Sequence, residues 1–328
     1  MEITIKDVSK NYGQLIALSS VSFSVRQNEL LSIIGPSGSG KTTLLKVLAE
    51  IEKPSNGIVY YPENLSGRKI LVFQEYLLFP HMTIYENVVF GLKAAKMDKQ
   101  YIKRQVLEYL DIFKIGDKRN SYPGELSGGQ KQRAVIARAM VLEPSLLLLD
   151  EPFANLDKRL KMETAVFIKD IQQKLKTTIV CVTHDLDEAY TISDRLGILI
   201  DGKLLQISKP EDLFINPVSE ATAEFFGSIN QIPANLFPAL NLSVEDDPSD
   251  IFIRPEAFRM ERVKGGEGVV LDYSYTLGAV EYLIDYKGTP IRVKTLDADF
   301  EKGELVELNL SSRFLSSRKG WKEEKEAL

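Results

Sequence analysis

Three short runs hold residue types that can do chemistry together. Gly35-Pro36-Ser37-Gly38-Ser39-Gly40-Lys41-Thr42 fits the pattern G-x-x-x-x-G-K-[ST], a loop whose backbone N–H groups cradle phosphates. Glycines at 35, 38 and 40 let the backbone approach a ligand closely, and the helix N-terminus beyond them favours anions. Lys41 is placed for the β- and γ-phosphates of a nucleoside triphosphate, the Thr42 hydroxyl for Mg²⁺, and Thr43 completes the loop. Downstream, Leu146-Leu147-Leu148-Leu149-Asp150-Glu151 is an apolar run that delivers two carboxylates at its end. Asp150 suits a Mg²⁺ held through water, and Glu151 suits the acceptor that polarises a water attacking in line. The third run is Leu126-Ser127-Gly128-Gly129-Gln130. Ser127 can start a helix as its N-cap, with Gly128 and Gly129 exposing backbone N–H groups at the positive dipole end.

These groups need elements to hold them. Leu30–Ile34 reads as a buried strand entered through a Gln27-Asn28 turn and ending at the glycine-rich loop. Thr42–Ala49, with Leu44, Leu45 and Leu48 on one side, reads as the helix that follows. Ile3, Ile5 and Val8 alternate as a half-buried strand does, and Val21, Phe23 and Val25 more cleanly. Residues 95–142 are predicted to be mostly helical, with a break at Ser121-Tyr122-Pro123-Gly124. Leu146–Asp150 and Thr178–Thr183 have the apolar character of buried parallel strands. Arg195–Ile200 and Lys203–Ile207 flank Asp201-Gly202, a type I′ hairpin signal.

The composition changes after Gly227. Residues 228–250 read as a linker with short ordered pieces, followed by strand-like runs at 251–254, 268–272, 279–285, 291–294 and 305–310. Such spacing suggests a small barrel. The charged tail, 319–328, is expected to fray.

With 328 residues, 44% hydrophobic and 27% charged, the chain is predicted to be a globular protein with room for two domains. A net charge of −5 without clustered basic and aromatic residues argues against a nucleic-acid partner. The single cysteine, Cys181, fits a reducing compartment and reads as buried packing, and two histidines make a zinc site improbable. The first residues lack the basic and apolar regions of a signal peptide, and no apolar stretch is long enough to span a bilayer. A cytoplasmic location is expected, so any work at a membrane needs partners to hold the protein there.

Together, the phosphate loop and the intact Leu-Ser-Gly-Gly-Gln run resemble the ATPase subunits of ABC transporters. The resemblance makes 146–151 a Walker B strand and Gln74, in Leu71-Val72-Phe73-Gln74-Glu75, the Q-loop glutamine that meets Mg²⁺ and the attacking water. It makes His184 the switch histidine at the γ-phosphate and Ala154-Asn155-Leu156-Asp157 the D-loop, with Asp157 at the dimer contact. The family more often has Ser-Ala before Leu-Asp. Tyr12, 29 residues before Lys41, stands where the family places an aromatic under adenine. Stacking of this kind tolerates any base, so it does not choose ATP over GTP.

In the family, the signature run of one subunit closes over the ATP of the other. The resemblance therefore implies a head-to-tail dimer of two copies with ATP and Mg²⁺ in its seam. The implied fold is α/β: a P-loop ABC ATPase domain over 1–228 with an inserted helical subdomain at about 76–142, then a small C-terminal all-β OB-like barrel, similar to a TOBE domain, over 229–328. Phe252-Ile253-Arg254-Pro255-Glu256 and Ala279-Val280-Glu281-Tyr282 carry the latter likeness.

DNA-repair relatives place a long coiled coil between the two motifs, whereas about 85 residues without sustained heptads separate Lys41 from Leu126 here. Translation factors of this class usually carry two ATPase halves. The barrel tips the reading towards import. Residues 76–88 are apolar enough to form a groove for a helix of an integral membrane permease, or to pack the helical subdomain's own core. An extracytoplasmic solute-binding protein is then an indirect partner, and the cytoplasmic face of the membrane the expected location. The cargo stays open among ferric iron or polyamine, which residues 73–90 favour, and sulfate or molybdate, phosphonate and sugar. Two other readings are a soluble ATPase regulating a cytoplasmic machine and a binding module with a dead ATPase; intact Lys41, Glu151 and His184 argue against the latter.

Overall fold

In the computed structural model the described residues are 2–74, 77–154, 156–242, 250–276, 278–297 and 299–311. Tyr76 of the expected groove, Asn155 of the D-loop and the tail at 319–328 lie outside them. The chain divides into two compact units, Met1–Pro210 and Glu211–Leu328.

The first unit is built around strands β1 (Glu2–Tyr12), β2 (Leu15–Arg26), β3 (Leu30–Ile34), β4 (Asn56–Tyr60), β5 (Lys69–Val72), β6 (Leu146–Asp150), β7 (Ile179–Thr183), β8 (Arg195–Ile200) and β9 (Lys203–Ser208). Its helices are α1 (Lys41–Leu48), α2 (Ile84–Ala94), α3 (Lys99–Ile112), α4 (Gly128–Met140), α5 (Lys158–Leu175) and α6 (Leu186–Ile192). Six strands form a sheet in the order β5-β6-β7-β3-β8-β9, parallel except for the β8–β9 hairpin. Every residue of β3, β6 and β7 is buried, because both faces of the sheet are covered, and an unbroken apolar run is the sequence form of such a strand.

Alternate residues of these strands feed two cores. Leu31, Ile33, Leu146, Leu148, Val180 and Val182 pack with α1 and with the inward residues of an antiparallel sheet ordered β2-β1-β4. Leu30, Leu147, Leu149, Ile179 and Cys181 pack with α2 to α5 on the other face. The hairpin turn has Asp201 at φ 47° and Gly202 at φ 75°, the pair of left-handed residues that a type I′ turn requires. The helical part begins with a capping box in which Thr83 Oγ1 accepts the Glu86 N–H and Glu86 Oε2 accepts the Thr83 N–H. The expected break at 121–124 is a 3₁₀ turn, Pro123–Glu125.

The second unit contains α7 (Pro210–Ile215), which starts at its boundary, and α8 (Glu220–Phe225). Its strands are β10 (Asn230–Pro233), β11 (Asp250–Ile253), β12 (Phe258–Arg262), β13 (Gly268–Thr276), β14 (Ala279–Tyr286), β15 (Thr289–Thr295) and β16 (Leu305–Leu310). The five strands from β12 onward form an antiparallel sheet ordered β12-β16-β13-β14-β15, and β10 pairs with β11. The division falls ahead of the compositional change at Gly227, for a reason visible at Arg254. This residue is 8% exposed, and its guanidinium donates to Phe214 O at 3.0 Å and Ala223 O at 3.1 Å and stacks over the Phe214 ring. Arg254 thus fastens the segments of α7 and α8 to the β unit, where residue composition alone assigns them to the preceding domain.

Candidate active site

The phosphate loop leaves the C-terminal end of β3 and enters α1, and two close approaches fix its path. A Cβ on Gly35 would collide with Leu199 O, and one on Gly40 with Ala17 O; Gly40 also has φ 101° as the N-cap of α1. The β8–β9 turn braces the same loop, since the Gly202 N–H donates to Ser39 O at 3.1 Å and Gly202 O accepts the Ser19 N–H at 2.9 Å. Ser39 is buried, and its hydroxyl has no partner among the described residues. Lys41 is 6% exposed, and its ammonium donates to Gly35 O at 2.8 Å and Pro36 O at 2.9 Å. Burial lowers its pKa, against the opposing pull of the Glu151 and Asp150 charges.

Neighbouring parallel strands bring the acidic groups to the same end of the sheet. Asp150, the last residue of β6, accepts a hydrogen bond from Thr42 Oγ1 at 3.2 Å, and burial raises its carboxyl above the usual range. Glu151 follows with φ 44°, a left-handed conformation uncommon for a residue with a side chain, and its N–H donates to Val182 O at 2.9 Å. Its Oε2 lies 2.9 Å from His184 Nδ1, one residue beyond β7. A hydrogen bond from this ring to an ionised carboxylate would come from Nδ1–H, the tautomer that leaves Nε2 as an acceptor. Gln74 is exposed two positions beyond β5, the strand that pairs with β6.

The residues expected to act at a dimer seam are helix caps in the single chain. Ser127 Oγ accepts the Gln130 N–H at 3.4 Å and Gln130 Oε1 accepts the Ser127 N–H at 3.0 Å, so this glutamine is engaged in capping α4. Asp157 Oδ1 accepts the Leu160 N–H at 3.0 Å and caps α5. Tyr12 is 41% exposed at the end of β1, with the Lys10 ammonium 5.0 Å from its ring centroid. Sequence reasoning missed Gln132. This buried side chain donates to Pro152 O at 2.5 Å and ties the helix of the signature run to the segment after Glu151. No sequence signal separates it from its solvated neighbours.

The segment after Gln74 divides its work. Leu78, Ile84 and Val88 are in the helical core, whereas Leu77 and Phe90 are about half exposed, as is Phe73. Asn87 is fully buried and shapes the loop, donating to the carbonyls of Phe79, Met82 and Thr83 and accepting the Phe79 N–H. Phe79 lies 4.7 Å from the Phe90 ring, and Arg138 holds Leu77 O at 2.7 Å. Part of this segment thus fills the helical core, while Leu77 stays exposed.

Among the described residues no group of three or more His, Cys, Asp or Glu side chains could hold a metal by itself. The Thr42 hydroxyl and Asp150 carboxylate nevertheless fit Mg²⁺, a hard cation that takes one or two protein oxygens and completes its shell with water and phosphate.

The family model described as ABC transporter matches residues 18–154. The glucose import ATP-binding protein GlcV of Saccharolobus solfataricus is 38% identical over 330 residues, covering 92% of this chain and 91% of that protein. The Fe(3+) ions import ATP-binding protein FbpC of Brucella abortus is 36% identical over 312 residues, covering 86% and 87%. Among solved structures, the dimeric post-hydrolysis state of the ATP-binding cassette MJ0796 bound to ADP and Pi is 31% identical with a TM-score of 0.56, covering 63% of this chain and 98% of that one. With its phosphate loop, paired carboxylates and histidine assembled on that fold, the chain belongs to the ATP-hydrolysing, ATP-binding subunits of the ABC transporter family.

Proposed function

We propose that two copies of this chain close head to tail around ATP and drive solute import through a membrane permease. The observation that carries the enzymatic part is the 2.9 Å contact between Glu151 and His184, beside the Thr42–Asp150 pair at the phosphate loop. In this reading Lys41 exchanges its loop carbonyls for phosphate oxygens, and Thr42, Asp150 and Gln74 would hold Mg²⁺, which would supply positive charge against the phosphates. Glu151 takes a hydrogen bond from the attacking water, while His184 lies against that carboxylate and donates a ring N–H to the γ-phosphate. Tyr12 stacks on the base. Ser127, Gly128 and Gly129 of the second copy present the N-terminus of α4 to the same phosphate, with Asp157 at the contact between copies.

Import is supported by the names of the relatives, which are import ATP-binding proteins for glucose and for Fe(3+) ions. The two cargoes differ at comparable identity, as expected of a subunit that never touches the solute. Ferric iron or polyamine remains the cargo we favour, iron being that of one relative, with sugar as the second reading favoured by the glucose relative. The exposed Phe73, Leu77 and Phe90 suit an apolar permease helix, and the C-terminal β unit is read as a TOBE-like regulatory or dimerisation domain. The protein would sit at the cytoplasmic face through its permease; among the described residues no helix is long and apolar enough to cross a membrane.

The test is a pull-down of the Glu151→Gln protein with Mg-ATP from detergent-solubilised native membranes. The expected result is an ATP-bound dimer, with hydrolysis nearly abolished, that brings down a polytopic permease; the binding protein of that permease then names the cargo. Recovery of soluble partners alone would overturn transport, and sustained turnover would remove Glu151 from its role.

A further inference from the structure

His184 is flanked by two residues held by one set of charges around the buried Glu188, in which Asp185 is 32% exposed. Thr183 Oγ1 donates to Glu188 Oε2 at 2.9 Å and accepts the Asp185 N–H at 3.0 Å. Asp185 Oδ1 in turn accepts the Glu188 N–H at 3.2 Å and caps α6. Lys161 reaches this set from α5, with Nζ 3.3 Å from Glu188 Oε1 and 3.7 Å from Asp185 Oδ2. The Glu188 side chain is 4% exposed and that of Lys161 is 18% exposed, so this is not a solvated surface pair. Burial works against the Glu188 charge, and the Lys161 ammonium opposes that penalty.

Lys161 also stands one turn inside the start of α5. Its N–H donates to Asp157 O at 2.9 Å, and Asp157 caps that helix. A shift of the α5 N-terminus therefore acts on Thr183, Asp185 and the histidine between them through this ion pair, whose loss would strand a buried carboxylate.

We propose that Lys161 and Glu188 are positioning residues of the ATPase: they couple the N-terminus of α5 to His184, which already lies 2.9 Å from Glu151 in the single chain, so that docking of a second copy at Asp157 sets the reach of that histidine to the γ-phosphate. The proposal rests on the reading of Asp157 as a contact between copies and of His184 as the γ-phosphate partner. Neither Lys161 nor Glu188 touches substrate in this scheme. They act on the rate of the closed dimer, not on the capture of ATP by one chain.

The experiment is ATP-concentration-dependent hydrolysis by the full chain carrying Lys161→Met, Glu188→Gln, both together, or Lys161→Arg. Removing both charges leaves no stranded ion, so the double variant reports even where a single one fails to fold. The expected result is a folded double variant with kcat about tenfold lower or more, KM within about twofold of wild type, and a Hill coefficient reduced towards one. Lys161→Arg keeps most of the rate, because it keeps the charge. A folded double variant with wild-type kcat and Hill coefficient overturns the proposal. Glu151→Gln in the same assay separates the two levels of argument. If it is inactive while the double variant is normal, only the coupling fails; if it turns over like wild type, the reading of the site itself fails.

Discussion

Lys41 and Asp150 are charged groups held largely out of water, 6% and 7% exposed, and burial shifts both towards their neutral forms. For Asp150 the folded pKa lies above the ordinary 3.8, so the cost of its charge is absent below that value and complete above the folded one. At neutral pH the ionised carboxylate therefore lowers stability. Asp150→Asn keeps an acceptor for Thr42 and removes the charge. Without nucleotide or Mg²⁺, its thermal midpoint at pH 7 should exceed that of wild type, the difference should shrink as the pH falls towards 3.8, and hydrolysis should be lost. A lower midpoint at pH 7 would show that the site does not penalise the charge. Both residues were legible in the sequence through their company: carboxylates at strand ends are common, but this one stands 20 positions beyond Gln130 and downstream of a glycine-rich loop that ends in a lysine. The desolvation they share was not legible, since it comes from chain segments far apart in sequence.

At the scale of elements, the β8–β9 turn does more than reverse the chain. Gly202 donates to the phosphate loop at Ser39 O, its φ is 75°, and a Cβ there would stand 2.9 Å from Ala17 O. Gly202→Ala should cost about 1–3 kcal/mol in chemical denaturation and raise the KM for ATP more than it lowers kcat, because the loop it braces is displaced. Gly265→Ala is the control: its φ is 84° with nothing within 4 Å, so it should carry backbone strain without any change in KM. An unchanged KM in Gly202→Ala would confine the turn to a structural role. The hairpin itself was readable from Asp201-Gly202 between apolar runs, but its contact with the loop was not. Strands β3 and β6 were readable to the residue, because burial on both faces demands continuous apolar sequence. Strands β4 and β12 escaped because most of their residues face solvent or are half exposed. They are specified by backbone pairing with β1 and β16 rather than by a pattern of their own.

For the whole molecule, one chain holds one phosphate loop and one signature run, and Ser127 is exposed at the start of α4. Ser127→Arg should retain wild-type ATP affinity, since no part of the phosphate loop changes. It should remain monomeric by light scattering with Mg-ATP in the Glu151→Gln background, and alone it should not hydrolyse. Loss of the cap costs about 1 kcal/mol, too little to unfold a chain of this size, so a folded variant with normal turnover would sink the arrangement in trans. At the same scale the second compact unit begins at Glu211, ahead of the compositional change at Gly227, and within it Arg254 satisfies carbonyls at Phe214 and Ala223.

The sequence by itself determined the chemistry: a phosphate loop, a carboxylate pair and a signature run whose residue types and spacing are local properties of the chain. It also determined the buried parallel strands, since their burial is written in unbroken apolar runs. Only the tertiary structure decided which groups meet. Glu151 pairs with His184, Thr42 with Asp150, Gly202 with Ser39, and Lys161 with Glu188, and all but one of these partners lie more than 30 positions apart. A parallel sheet accounts for this: it aligns strands distant in sequence so that the loops at their C-terminal ends share one crevice, and no local pattern records which strands will be neighbours.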